Sequence, residues 1–331
     1  MTVRHDPELE PTAIRAAAER IPAAFRHSPQ YVNETLGERA GGPVVVKIET
    51  TNPVGAFKGR GTWLMVHELA AAGRIGLGRP VAVASTGNFG QGVAYAARAL
   101  GLEVVVFADE RANPLKLNKI RRYGARVVLA GHDFDAARVA AEQHARETGA
   151  YLLVDGREPT IAAGAATLAV ELTDAADRGD LPALGSVYAP VGNGALIVGV
   201  GAWLRHAVPG CRVVGVQSEA APSMTLSWRA GRPIETPTAG SYAEGVNTRV
   251  PVPEALEMMA GRVDDMLLVS EDAIRAAQEE LTRAIGVTVE GAAGASWAGL
   301  LADPGRRGPS LVLVTGSNVA PVTGANVAPM A

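Results

Sequence analysis

One cysteine, Cys211, stands in 331 residues, so neither an intrachain disulfide nor a multi-cysteine metal cluster can form. That scarcity suits a reducing compartment, and the cytoplasm is the expected location. Excess positive charge is also missing: a net charge of −3 offers no basic footprint for nucleic acid. No stretch approaches the roughly 20 uncharged apolar residues that span a bilayer. The opening MTVRHDPELEPTAIRAAAERI is polar and then helical, without the basic start and apolar block of a signal peptide. Internal repeats and low-complexity tracts are absent as well. These absences leave a small-molecule role in a globular protein as the expectation, with neither nucleic acid nor membrane as partner.

What is present is apolar mass and glycine. Hydrophobic residues make up 47% of the chain, enough for a substantial core, and the 38 glycines gather where apolar runs meet helical patterns. Short β-branched runs alternate with longer Ala-rich stretches of helical spacing, which predicts an α/β fold. Strands are expected at Val44–Ile48, Val81–Ala84, Val104–Phe107, Arg126–Leu129, Leu152–Val154, Val187–Ala189, Val213–Gln217, Met266–Val269 and Leu311–Val314. Most are unbroken apolar runs, as buried parallel strands require. Helix ends are legible too: Pro114 and Gly124 bracket one helix, and Ser270 and Gly286 bracket another. The stretch Arg229 to Pro253, rich in proline and glycine, reads as an extended surface excursion.

Ligands of open parallel sheets bind beyond the carboxyl ends of the strands, and four such ends carry candidate chemistry. After Val44–Ile48 comes Glu-Thr-Thr-Asn-Pro-Val-Gly-Ala-Phe57-Lys58-Gly59, a turn that opens a helix on a lysine. Partial desolvation would make that amine a nucleophile toward an aldehyde, though a solvated helix-start lysine has the same local sequence. After Val81–Ala84, Ser85-Thr-Gly-Asn-Phe-Gly has the small side chains that let helix N–H groups reach an anion such as a carboxylate. An ordinary turn capped by Ser85 or Thr86 fits equally. The turn Gly192-Asn-Gly194 after the strand at Val187 can cradle a phosphate. It also partly matches a dinucleotide fingerprint, with Glu219 at the end of the next strand, but Ile197 occupies the third glycine's place. The fourth end, Thr315-Gly-Ser-Asn318, is generic by itself.

Taken in order, the four segments resemble the fold-type-II pyridoxal phosphate enzymes, and within them the threonine and serine dehydratase and serine racemase group. The likeness runs through nearly the whole chain, including Asp155-Gly-Arg-Glu-Pro-Thr-Ile-Ala-Ala-Gly164 and Gly215-Val-Gln-Ser-Glu-Ala-Ala-Pro-Ser-Met224. It implies two α/β domains with tryptophan-synthase-β-like parallel sheets: a larger cofactor-binding one at 1–78 and 156–331, and a smaller one inserted at 79–155. Pyridoxal 5′-phosphate would be bonded to Lys58, with Phe57 beside it and Asn88 on the ring hydroxyl. Its phosphate would lie against Gly192, Asn193, Gly194, Ala195 and Leu196, and Thr315 would face the ring nitrogen. Ser85, Thr86, Gly87 and Asn88 would take the substrate carboxylate.

The implied reaction removes water and ammonia from a small β-hydroxy amino acid, threonine, serine or a specialised analogue, leaving a 2-oxo acid. Lys58 and Thr86 are the candidate catalytic groups, because racemases of the group carry a serine hydroxyl at the place of Thr86. Racemisation and β-replacement therefore stand as alternatives, and a nicotinamide oxidoreductase as a distant one. Phe89, Asn193, Glu244 and Ala166 depart from the usual dehydratase text and point to a bulkier or more specialised β-hydroxy amino acid than plain threonine. Glu219 resembles a cation ligand of the group, but Thr225 stands where a second acid is expected, so no metal is expected. Glu290 either approaches the cofactor or begins a helix, and Asp264 and Asp265 read as a solvated pair. The short run beyond Asn318 implies no regulatory domain and a catabolic or specialised role, and a homodimer is the group's habit.

Overall fold

The computed structural model describes residues 4–85 and 87–319. Ten strands fall in two sheets. β1 (Gln30–Val32), β2 (Val44–Ile48), β7 (Ser186–Pro190), β8 (Arg212–Ser218), β9 (Asp265–Val269) and β10 (Ser310–Val314) form the larger, in the order β1-β2-β10-β7-β8-β9. β3 (Val81–Ala84), β4 (Val104–Ala108), β5 (Arg126–Leu129) and β6 (Tyr151–Leu152) form the smaller, in the order β5-β4-β3-β6. Every pairing is parallel except that of β1 with β2. The fold is α/β as expected, and all nine expected strands are present, displaced by at most two residues. β1 has no counterpart in the sequence pattern because a three-residue edge strand, Gln-Tyr-Val, has no room to show a period.

The first helices are α1 (Pro11–Arg20), α2 (Glu34–Ala40), α3 (Lys58–Ala71) and α4 (Asn88–Ala99). Next come α5 (Pro114–Arg122), α6 (Phe134–Thr148), α7 (Pro159–Asp177) and α8 (Ala195–Ala207). The last are α9 (Ser223–Ala230), α10 (Pro253–Met259), α11 (Glu271–Ile285) and α12 (Gly291–Ala302). Their ends follow the local chemistry. Asn113 accepts from Leu115 N at 2.9 Å ahead of Pro114, and Ser270 accepts from Ala273 N at 3.2 Å. Helix α11 then stops at Gly286, whose φ of 70° is left-handed. Among the described residues no helix is long and apolar enough to cross a membrane.

Both faces of the larger sheet are covered. α7 and α8 lie over one, and α12 packs over the other with Trp297 fully buried. α3 reaches into this packing because glycines let backbones touch: a Cβ on Gly164 of α7 would sit 2.4 Å from the Gly61 Cα of α3. That contact fixes the helix on which Lys58 stands.

Beneath α3 lies a charge cluster the sequence did not disclose. Arg60, fully buried, donates to Glu49 (2.8 Å to each oxygen) and to Glu171 (2.7 and 3.1 Å), with Thr167 at 3.0 Å. Lys47, in the middle of the apolar β2, is also fully buried; it pairs with Glu171 and donates to Gln30 at 2.8 Å and Ser28 O at 3.2 Å. The two cations hold the Glu171 carboxyl down, to about 2, against the opposing effect of its burial.

One expectation needs correction and another a refinement. The stretch from Arg229 to Pro253 is not a surface excursion throughout: Ser241, Ala243, Val246 and Thr248 are buried, and Val246 belongs to the core. Its irregular backbone is satisfied by side chains, with Asn247 accepting from Ser241 N at 3.0 Å and Ser223 donating to Thr248 O at 2.6 Å, so it shows no period. Asp264, exposed, and Asp265, half-buried, do meet solvent as expected, but both are also tied down. Asp264 accepts from Val213 N at 2.7 Å and pairs with Arg205 at 2.6 Å, and Asp265 pairs with Arg212 at 2.6 Å. Cys211 behaves as packing, its thiol pushed up to about 12 by burial.

Candidate active site

The four strand-end segments converge between the two sheets. Lys58 is the first residue of α3, and the loop before it is stitched to the end of β10: Phe57 N donates to Thr315 O at 3.0 Å, and Ala56 bridges Gly316. Thr315 is buried there. The Lys58 Nζ lies 4.9 Å from the Phe57 ring centre and 5.6 Å from that of Phe89, so two aromatic faces flank it. Its side chain is 14% exposed, reachable from the cleft but largely out of bulk water. Both oxygens of Asp155 accept from it, at 2.7 and 2.6 Å.

The second segment begins α4. Ser85, buried, accepts from Gly90 N at 2.9 Å and Gly87 N at 3.3 Å, so its oxygen caps the helix and only its hydroxyl proton is left to donate. Thr86 lies outside the described residues. Asn88 has both ends of its amide engaged. Its Nδ2 donates to Glu290 at 2.7 Å, and its Oδ1 accepts from Asn318 at 2.7 Å. One Nδ2 proton remains for a ligand, and the two partners fix which way the amide faces.

The third segment reaches the same place through Gly156. A Cβ on that residue, whose φ is 88°, would lie 2.3 Å from Asn193 O, so the turn carrying Asp155 rests directly on the Gly192–Gly194 turn. Gly194, at φ 93°, begins the 13-residue α8, whose first N–H groups have no intrahelical partner. Ala195 and Leu196 are buried in its first turn, and Asn193 accepts from Thr248 at 3.4 Å. A left-handed glycine opening a long helix is the geometry that receives a phosphate, and it lies one residue contact from the Lys58 partner. The donor set therefore fits pyridoxal phosphate: an amine for its aldehyde, a helix start for its phosphate, and an oriented amide for its ring oxygen.

Of the charged groups here Lys116, Lys119 and the Asp155 partner of Lys58 were not foreseen, whereas Glu290 was. Glu290 precedes α12 but does not cap it. Its carboxylate instead accepts from Asn88 and, at 3.1 Å, from Asn318 N, with Lys116 Nζ at 3.7 Å. Burial pushes its carboxyl up, with Lys116 and Asn88 opposing. Both alternatives for Glu290 thus hold in part: it stands at a helix start and at the site. Lys116 of α5 also pairs with Glu244 at 2.6 Å, and Lys119 donates to Val54 O and to Asn318 Oδ1, each at 2.8 Å. Burial lowers the Lys119 ammonium from its ordinary value. One signal for Lys116 was available: it shares the helical row of Ile120, which is core. Asp155 gave no comparable signal, since a turn aspartate is ordinarily solvated. Glu219, by contrast, is exposed.

Comparison with known proteins agrees with this geometry. The family model for pyridoxal-phosphate dependent enzymes matches residues 27–316. An L-threonine ammonia-lyase of Geobacter sulfurreducens is 32% identical over 313 residues, 93% of this chain and 75% of the relative. One from Thermotoga maritima is 33% identical over 307 residues, 92% and 75% of the two chains. The crystal structure of the T.th. threonine deaminase superposes with a TM-score of 0.85 at 30% identity, covering 94% of this chain and 99% of that one. The chain belongs to the pyridoxal-phosphate dependent enzyme family, in its fold-type-II form.

Proposed function

We propose that this enzyme is a lyase that removes water and ammonia from a small β-hydroxy amino acid, threonine, serine or a specialised analogue, and releases a 2-oxo acid. The observation that carries the reading is the Lys58 amine, 14% exposed beside two aromatic rings and linked through Asp155 and Gly156 to a helix-start turn shaped for phosphate. The three relatives and structures named above bear threonine ammonia-lyase or threonine deaminase names, which supports the reaction type.

In this reading Lys58 Nζ would hold the cofactor through its aldehyde and, once freed from it, would take the α-proton of the substrate as the general base. The cofactor, when bound, supplies a conjugated system that accepts the electron pair left on Cα. Gly192 to Leu196 would hold the phosphate, Phe57 would pack beside the ring, and Asn88 would donate its remaining Nδ2 proton to the ring oxygen. Thr315 would face the ring nitrogen with a neutral hydroxyl, which would not hold a proton there as a carboxylate would. Ser85, Thr86, Gly87 and Asn88 receive the substrate carboxylate. The larger domain comprises 1–78 and 156–331 and the smaller 79–155, so the site lies between them, as the separate smaller sheet from Val81 to Leu152 supports.

The same proposal includes a cytoplasmic homodimer, supported by the single buried cysteine and by the resemblance. Sedimentation of the purified protein tests the dimer. The function is tested by incubating purified protein with pyridoxal phosphate, recording the visible band, and assaying 2-oxo acid and ammonia across β-hydroxy and β-substituted amino acids. A band abolished by Lys58→Ala together with oxo-acid release is the expected result. A colourless wild type, or enantiomer without oxo acid, contradicts it. Phe89, buried beside the Lys58 amine, supports a substrate other than plain threonine; a several-fold preference for threonine across the panel would remove that part.

A further inference from the structure

We propose that Asp155 is a catalytic residue of this site, the carboxylate that holds the Lys58 ammonium whenever that nitrogen is not covalently engaged. The inference rests on the function proposed above. Asp155 follows the last strand of the smaller sheet, whereas Lys58 opens the helix after β2 of the larger, so their pair spans the cleft. Both carboxylate oxygens accept from the one Nζ, at 2.7 and 2.6 Å, and both side chains are only 14% exposed. Among the described residues neither charged group makes another ion pair or side-chain hydrogen bond. The rings of Phe57 and Phe89 lie 4.9 and 5.6 Å from the amine and add apolar surface beside it.

The chemistry gives this arrangement a use. A lysine that takes a proton becomes a cation, and a cation in a largely dry cleft is costly unless paired. Asp155 offsets that cost at the moment it arises. As the Cα–H bond breaks, its proton goes to Lys58 Nζ and its electron pair into the cofactor's conjugated system. Nζ then gives a proton to the β-oxygen while the pair from the Cα–H bond forms the Cα–Cβ double bond, the Cβ–O bond breaks with its pair on oxygen, and water leaves. Asp155 exchanges no proton in this sequence, so the substrate loses one water and the side chains end as they began. The contact of Gly156 with Asn193 O holds the carboxylate in register with the phosphate turn.

The same pair also predicts behaviour in the cofactor-free protein, where the two hydrogen bonds from Nζ to the carboxylate must break before the amine can attack an aldehyde, which slows capture. Asp155→Asn preserves shape and removes the charge, and Asp155→Glu restores the charge on a longer stem. The experiment measures the rate at which cofactor-free protein gains the visible band on mixing with pyridoxal phosphate at neutral pH, then kcat and KM of the loaded enzyme, with thermal midpoints as the folding control. Asp155→Asn is expected to capture the cofactor about threefold faster or more, and to lose about tenfold or more in kcat with KM little changed, the pattern of a group that acts on the proton transfer. Asp155→Glu is expected to recover most of kcat. Capture by Asp155→Asn that is unchanged or slower, or a kcat within twofold of wild type, overturns the assignment; if that variant does not fold, Asp155→Ser is scored by the same two criteria. A wild type that never develops the band removes the functional reading itself, which keeps the two failures apart.

Discussion

Two lysines on either side of one turn, Lys47 and Lys58, are each held by carboxylates, and the contrast between them separates structure from chemistry. Lys47 shares the Arg60, Glu49 and Glu171 cluster, is fully buried, and has three acceptors. Among the described residues Lys58 has one partner residue, 14% exposure and two aromatic rings beside it. A saturated buried network has no free hydrogen-bonding capacity and serves to hold α3 in place. A singly paired amine at the edge of a cleft can exchange its partner for a substrate. Burial and charge alone therefore do not mark the reactive group; an incomplete shell of partners does.

The contrast can be broken from either side. The largest effect is expected from Lys58→Ala, which abolishes the visible band and turnover while leaving the thermal midpoint near wild type, as spectrum and melt together will show. Arg60→Met should do the reverse. It leaves two buried carboxylates with one cation fewer, costing about 3–5 kcal/mol in a urea melt, and any loss of activity follows loss of fold. A mutant with wild-type stability would mean the cluster is not structural.

Acid sharpens the same division. The Glu171 carboxyl is lowered to about 2 from 4.5. A carboxyl lowered on folding contributes stability that is present above its unfolded value and lost as pH falls through its folded value. The contribution, of order 3 kcal/mol, is thus complete above about 4.5 and gone below about 2. Urea midpoints measured down the pH scale should fall across that window, and Glu171→Gln should remove this part of the fall. A smaller effect is expected at Asn88. Asn88→Ala should weaken cofactor binding about tenfold, the worth of one oriented hydrogen bond to a charged oxygen, with Lys58 still able to form the coloured species. Titration of the band against free cofactor measures it.

Much of the fold was legible because buried parallel strands need uninterrupted apolar runs, and Val44–Ile48 or Leu311–Val314 can hardly be read otherwise. The convergence of Lys58, Asn88, Gly192–Gly194 and Thr315 was legible only as an ordered set, since each segment by itself has a commonplace explanation. Partners supplied from a distant part of the chain were not. Asp155 is 97 residues from Lys58, and Glu290 is 202 from Asn88, and nothing local distinguishes either from a solvated turn or helix-start acid. Lys47 shows the limit from the other direction: a charge inside an apolar run passes as a strand residue, and only its distant partner Glu171 explains how it is tolerated.

The most direct test of the central claim is borohydride reduction of the protein incubated with pyridoxal phosphate, followed by peptide mapping. The account predicts a single cofactor-modified site, Lys58, with Lys47, Lys116 and Lys119 untouched. Modification at any of those three in place of Lys58, or none at all, would contradict it.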